Sequence, residues 1–208
     1  MKWYKTEIAD MLVSVFCNGL DNLMDKTGYE FSEAEDYADS DVLVIFSSKY
    51  DKSVKKVMDK LAEEGCYSSL NAAVFAFSPE EENPLLDLTL VSGEKNLASA
   101  LSDLLKMLDY YLYITPVDVG YELSKRGTFT YEKGTEAINF ASVKESALSF
   151  LEGIDDALMI LEAGEEIFIS DIENLTYDLS DATGDTRLTI APLRTLKGER
   201  VRFSIMHK

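Results

Sequence analysis

The feature that most restricts how this chain can fold is the run from Glu94 to Leu112, Glu-Lys-Asn-Leu-Ala-Ser-Ala-Leu-Ser-Asp-Leu-Leu-Lys-Met-Leu-Asp-Tyr-Tyr-Leu. Its leucines fall at 97, 101, 104, 105, 108 and 112, one continuous apolar stripe on an α-helix. Ser99, Ser102, Asp103, Lys106 and Asp109 fill the opposite side. Gly93 precedes the run, Glu94 places negative charge in its first turn, and Pro116 prevents continuation. So apolar a helix needs a sheet to lie on.

Strand signals flank it. The unbroken run Asp41-Val-Leu-Val-Ile-Phe-Ser-Ser reads as a strand covered on both faces. Lys52–Glu64 reads as a helix with Val54, Val57, Met58 and Leu61 inward and Gly65 as its stop. Residues 70–77 and 85–91, joined by the Pro-bounded acidic turn around Glu80, predict an antiparallel hairpin. Upstream, Ile8, Met11, Leu12, Val15, Leu20 and Leu23 recur at helical spacing and predict a first helix over 5–26, ended by Thr27-Gly28.

Beyond Pro116, alternation on either side of Lys125-Arg126-Gly127 predicts a second hairpin, with Tyr110, Tyr111, Tyr113, Tyr121, Phe129 and Tyr131 gathered around it. Ser142-Val-Lys-Glu145 has the form of a capping box, opening a helix that runs through Leu161 to Gly164. The remainder reads as strands at 167–170, 175–179, 188–193 and 201–206. Asp178 and the arginines Arg200 and Arg202 are placed to pair across those strands. The expected fold is therefore α+β: a mostly antiparallel sheet or sheets packed by about four helices, ending in a β-meander. The halves 1–116 and 117–208 resemble each other loosely, as two similar α/β halves or as one continuous domain.

Charge is where composition matters. Thirty-eight acids against twenty bases leave a net charge of −18. Residues 187–208 hold six bases and one acid, which leaves 37 acids and 14 bases on residues 1–186: +5 against −23. Such a field repels nucleic acid and anionic membrane and attracts basic partners. The densest segment carries Glu30, Glu33, Glu35, Asp36, Asp39 and Asp41 with Tyr37 among them, and these seven are the candidate partner-binding residues.

Catalytic signatures are missing. There is no G-x-S-x-G, no H-E-x-x-H, no GxGxxG or GxxxxGK[ST] after a strand, and one histidine, His207. Cys17 and Cys66 have no metal-ligand spacing and indicate a reducing compartment. The run Met11–Cys17 is interrupted on its N-terminal side by Glu7 and Asp10 and lacks a cleavage site, so the chain reads as cytoplasmic. No cofactor or metal is expected. The function expected from these features is an acidic protein-binding module. In its sharpest form it inhibits a nucleic-acid-binding protein by occupying the basic site, as phage anti-defence and immunity proteins do. The alternative is a small-molecule enzyme with a pocket between the central helix and the aromatic hairpin.

Overall fold

Residues 5–26 do not form a helix. A computed structural model describes residues 2–64, 70–80, 83–110, 123, 126–137 and 139–208, and it opens on a hairpin. Strands β1 (Lys2–Ile8) and β2 (Met11–Asn18) pair antiparallel, from Lys2 opposite Cys17 to Ile8 opposite Met11. The turn is the pair Ala9 and Asp10, with φ of 52° and 64°. Two left-handed residues give the turn twist that a two-residue hairpin requires. Val13, Val15 and Phe16 are all fully buried. A strand covered on both faces is apolar throughout, so it contains any helical spacing one looks for.

The chain divides into two units, Met1–Phe129 and Thr130–Lys208. In the first, a short helix α1 (Asp21–Met24) follows β2, and β3 (Ser32–Ala34) pairs antiparallel with β1. Then come β4 (Val42–Ser47), α2 (Lys52–Glu64), β5 (Leu70–Phe75) and β6 (Leu88–Val91). The strand order is β3-β1-β2-β4-β5-β6, with β3 outermost. The three ladders β2-β4, β4-β5 and β5-β6 are parallel. A mostly antiparallel sheet is thus overturned, and the fold is α/β. The hairpin expected between 70–77 and 85–91 fails on length. Twelve residues, 76–87, carry the chain back to the start of β5, the reach a parallel crossover needs. There the Asp87 N–H donates to the Asn71 carbonyl at 2.7 Å, and the Asp87 carboxylate accepts the Asn71 N–H at 2.9 Å.

On one face of this sheet α2 packs Val54, Val57, Met58 and Leu61 against Phe16, Leu43, Ile45, Ala73 and Phe75. Helix α3 (Leu97–Tyr110) follows a 3-10 turn at Glu94–Asn96 and packs against β1, β5 and α1. Leu97, Leu101, Leu104, Leu105 and Leu108 are buried as the stripe requires, but Ser102 and Asp103 are buried too. The Ser102 hydroxyl donates to the Thr27 carbonyl at 2.7 Å, and Lys106 donates to Asp103 at 2.9 Å. Ser102 and Asp103 are therefore satisfied inside the protein, while Asp109 on the same side is exposed. Pro116, the 116/117 boundary, Gly65, Cys66, Tyr111, Tyr113, Tyr121 and Lys125 lie outside the described residues. So does the first arm of the second expected hairpin.

The second unit contains β7 (Gly127–Ala137) from Thr130 onward, α4 (Phe140–Leu151), β8 (Asp156–Gly164), α5 (Ile169–Ala182), β9 (Arg187–Leu196) and β10 (Val201–His207). Its order is β7-β10-β8-β9, with β9 outermost; β10 is antiparallel to β7 and β8, while β8 and β9 are parallel. The expected helix over 142–164 stops at Leu151, and Gly153 turns at φ +74° into a wholly buried β8. Its cap is Asn139, whose side chain accepts the Ser142 N–H at 2.8 Å, and not Ser142 itself. The expected meander also gives way. Residues 169–182 are helical with Ile172, Leu175 and Leu179 inward, and Tyr177, which alternation would have buried with the leucines, is 73% exposed. Asp178 pairs with Lys144 on α4 at 2.8 Å, while Arg202 binds Glu162 and Arg200 binds Glu136. Among the described residues no helix is long and apolar enough to cross a membrane.

Candidate functional site

In open α/β sheets, ligands bind beyond the carboxyl ends of the parallel strands, where helix N-termini and connecting loops converge. In the first unit that edge is formed by Asn18, Ser47, Phe75 and Val91, the last residues of β2, β4, β5 and β6. Parallel pairing sets Asn18 opposite Ser47. The Asn18 amide donates to the Ser47 hydroxyl at 3.1 Å and to Asp51 Oδ2 at 3.2 Å. Asp51 Oδ1 accepts the N–H groups of Ser53 (2.8 Å) and Val54 (3.2 Å), which caps α2. Lys49 Nζ lies 3.7 Å from Asp51 Oδ2. The Asn18 amide, foremost, and then the α2 amides and Lys49 hold the Asp51 carboxyl below its usual value.

Beside this network a cavity of about 790 Å³ opens, lined by Lys49, Tyr50, Phe75, Phe77, Glu80 and Asn83 among others. Phe75 and Phe77 stack at 4.5 Å with 20° between their planes, and Tyr50 meets Phe77 edge-on at 6.0 Å. Tyr50 is 58% exposed, so its ring is presented to the opening. Stacked aromatic faces, one cation and a few polar groups suit a planar, partly polar small molecule. A second hollow, of about 700 Å³ around Glu152, Gly153, Asp155 and Asp185, sits at the amino ends of β8 and β9 in the other unit. That is the end of a parallel pair where this class of fold does not place its ligands. Among the described residues no group of three histidine, cysteine or carboxylate side chains is placed to hold a metal.

The residues expected from sequence to bind a partner are spread over β3 and the loops on either side of it. Glu33 pairs with Lys2 at 2.6 Å, and Asp36 with Lys5 at 3.8 Å. Tyr37 packs on Trp3 at 4.8 Å, lies under Lys60 at 4.9 Å, and donates its hydroxyl to Glu64. Asp41 accepts the Leu12 N–H at 2.8 Å, where the β2-β4 ladder begins. Glu30, Glu35 and Asp39 are exposed. The aromatics Phe129 and Tyr131, expected near a pocket, are buried. Sequence reasoning missed Asn18, Ser47, Lys49, Tyr50, Asp51 and Phe77. The one local signal was Asp51 ahead of the α2 periodicity, an N-cap. Bringing Asn18, Ser47 and Phe77 to one edge needs the parallel topology.

An α/β unit with parallel central strands, followed by a smaller mixed unit, gives this chain an FtsZ/tubulin-like fold. The solved structures it resembles include FtsZ from M. jannaschii as an empty dimer, with TM-score 0.54 and 13% identity over 82% of this chain and 64% of that one. A mutant of the same FtsZ gives 0.55 and 12% over 90% and 68%. CetZ from Methanosaeta thermophila gives 0.50 and 12% over 81% and 62%. The chain thus spans about two thirds of the length of each. No protein-family model matches the sequence, and no curated protein sequence does. Identity this low carries the fold and none of the chemistry. The architecture nevertheless overturns the expectation of a nucleic-acid-mimicking, anti-defence inhibitor with a basic nucleic-acid-binding protein as partner. Net charge is a surface property that any fold can carry, and here an FtsZ-like α/β fold carries it.

Proposed function

We propose that this chain is an assembly module of the FtsZ/tubulin kind, which holds a nucleobase-bearing ligand at the carboxyl ends of β4 and β5 and works by associating with further copies of itself. The cavity carries the proposal. Its volume of about 790 Å³ lies within the range of small-molecule sites, and Phe77, backed by the buried Phe75, offers aromatic surface to a base together with Tyr50. Stacking of a base on an aromatic side chain contributes about 1–3 kcal/mol. Association is supported by the fold, since the FtsZ it resembles is described as a dimer.

Two measurements test this. Guanosine, adenosine or one of their phosphates should quench the intrinsic fluorescence of the protein in a saturable way. Phe77→Ala should weaken the tightest of them about tenfold, the loss of one stacking contact. Sedimentation velocity over a rising protein concentration should show mass-dependent association. Absence of saturable binding by every one of these compounds would remove the ligand half of the proposal. A monomer at all concentrations, with and without ligand, would remove the other half.

A further inference from the structure

The proposed ligand site has a charge pattern that specifies what it accepts, an inference that rests on the reading of the cavity as a nucleobase site. We infer that the cavity takes its ligand without a phosphate chain, as a nucleoside or free base, and discriminates against nucleoside polyphosphates. Phosphate recognition at strand ends needs unoccupied backbone N–H groups at a helix N-terminus, unpaired cations, or both. Among the described residues, the two α2 amides and the one lining cation at this cavity already face a carboxylate. The α2 amides of Ser53 and Val54 already donate to Asp51 Oδ1, a carboxylate standing where a phosphate oxygen would sit. Lys49 is the one cation among the described lining residues, and its Nζ lies 3.7 Å from Asp51 Oδ2, whose charge offsets its own. Asp51 is fixed in turn by Asn18. Glu80 adds a carboxylate to the lining itself.

Carboxylates also stand at the neighbouring strand ends, without capping a helix. The helix after β2 carries Asp21 in its first turn, and the turn after β6 carries Glu94 in its own. Asp21 accepts the Tyr4 hydroxyl at 2.5 Å. Only the α2 N-terminus is capped by a carboxylate, and Asp21 and Glu94 add negative charge after β2 and β6. A triphosphate would bring about four negative charges toward them. The aromatic faces are indifferent to phosphorylation. The cavity therefore keeps the stacking component of nucleotide binding and opposes the ionic component.

The test compares guanosine and adenosine with their 5′-triphosphates, on the full chain, by titration calorimetry at low salt without divalent cations. At least one nucleoside should bind at least tenfold tighter than its triphosphate, and the gap should shrink as salt screens the carboxylates. Asp51→Asn, which preserves a capping side chain, should narrow the gap to less than threefold. Glu80→Gln should narrow it in the same direction and covers the case in which the first variant does not fold. A triphosphate that binds as tightly as its nucleoside, or tighter, overturns the inference and leaves the nucleobase reading standing. Failure of every compound to bind overturns both.

Discussion

At the scale of single residues, three positions have consequences that can be measured. Gly164 closes β8 where the turn at Gly198 folds over it, and its N–H donates to the Arg200 carbonyl at 2.8 Å. A Cβ at 164 would sit 1.8 Å from the Gly198 carbonyl oxygen, a backbone atom that cannot swing aside. Gly164→Ala should therefore cost about 3 kcal/mol, read as a shift in the urea midpoint, because overpacking against backbone leaves no rotamer to relax into. Cys17, 2% exposed, has its thiol pushed up to about 11 by burial among apolar groups. It should stay unreactive toward a disulfide reagent at pH 8 until the protein is unfolded; labelling of the native state within minutes would contradict its placement. Asp51 supplies the pH dependence. Its folded pKa lies below the usual carboxylate value, so its contribution is present above about pH 4 and is lost as pH falls through the folded value. Asn18→Ala removes the leading cause, and carbon-detected titration of the Asp51 carboxyl should then show its pKa moved upward.

At the scale of elements, the hairpin turn gives the most direct prediction. Ala9 and Asp10 both hold positive φ, a conformation that Asn-Gly adopts with less strain. Ala9→Asn combined with Asp10→Gly should stabilise the protein by about 1 kcal/mol, a rise of a few degrees in Tm. An unchanged or lowered Tm would mean that the β1-β2 register is not set by this turn. The same hairpin shows what could be read ahead of the structure. Helix α2 and strand β4 stand where the sequence puts them, because Val54, Val57, Met58 and Leu61 have one period only and Val42–Phe46 has flanking polar residues to bound it. Met11–Cys17 and Asp156–Gly164 read as helix from residue spacing because strands buried on both faces carry no alternation to mark them. Leu175, Tyr177 and Leu179 alternate like a strand, yet Ile172, Leu175 and Leu179 are the face that packs. Of the candidate site, only the Asp51 cap left a local trace. Tyr50, Phe75 and Phe77 come together because β4 and β5 run parallel, which residue spacing does not encode. The acidic residues from Glu30 to Asp41 were visible as composition, and composition reports charge without location.

At the scale of the whole molecule, a net charge of −18 on 208 residues means that the folded chain repels itself. Raising sodium chloride from about 10 to about 200 mM shortens the Debye length from about 30 Å to under 10 Å, and Tm should rise by several degrees. A Tm that falls with salt would show that ion pairs such as Arg202–Glu162 and Lys106–Asp103 outweigh the repulsion. The free strands at the ends of the two strand orders have a different consequence. β3 is three residues long, and β9 carries Pro192 in its middle, opposite Leu161. A bare strand margin is a template on which another chain can crystallise into cross-β fibre, and a stub or an imino acid denies it the row of donors it needs. The self-association proposed above would therefore run through surfaces other than β3 and β9. Such contacts come apart on dilution, whereas strand-to-strand fibres do not.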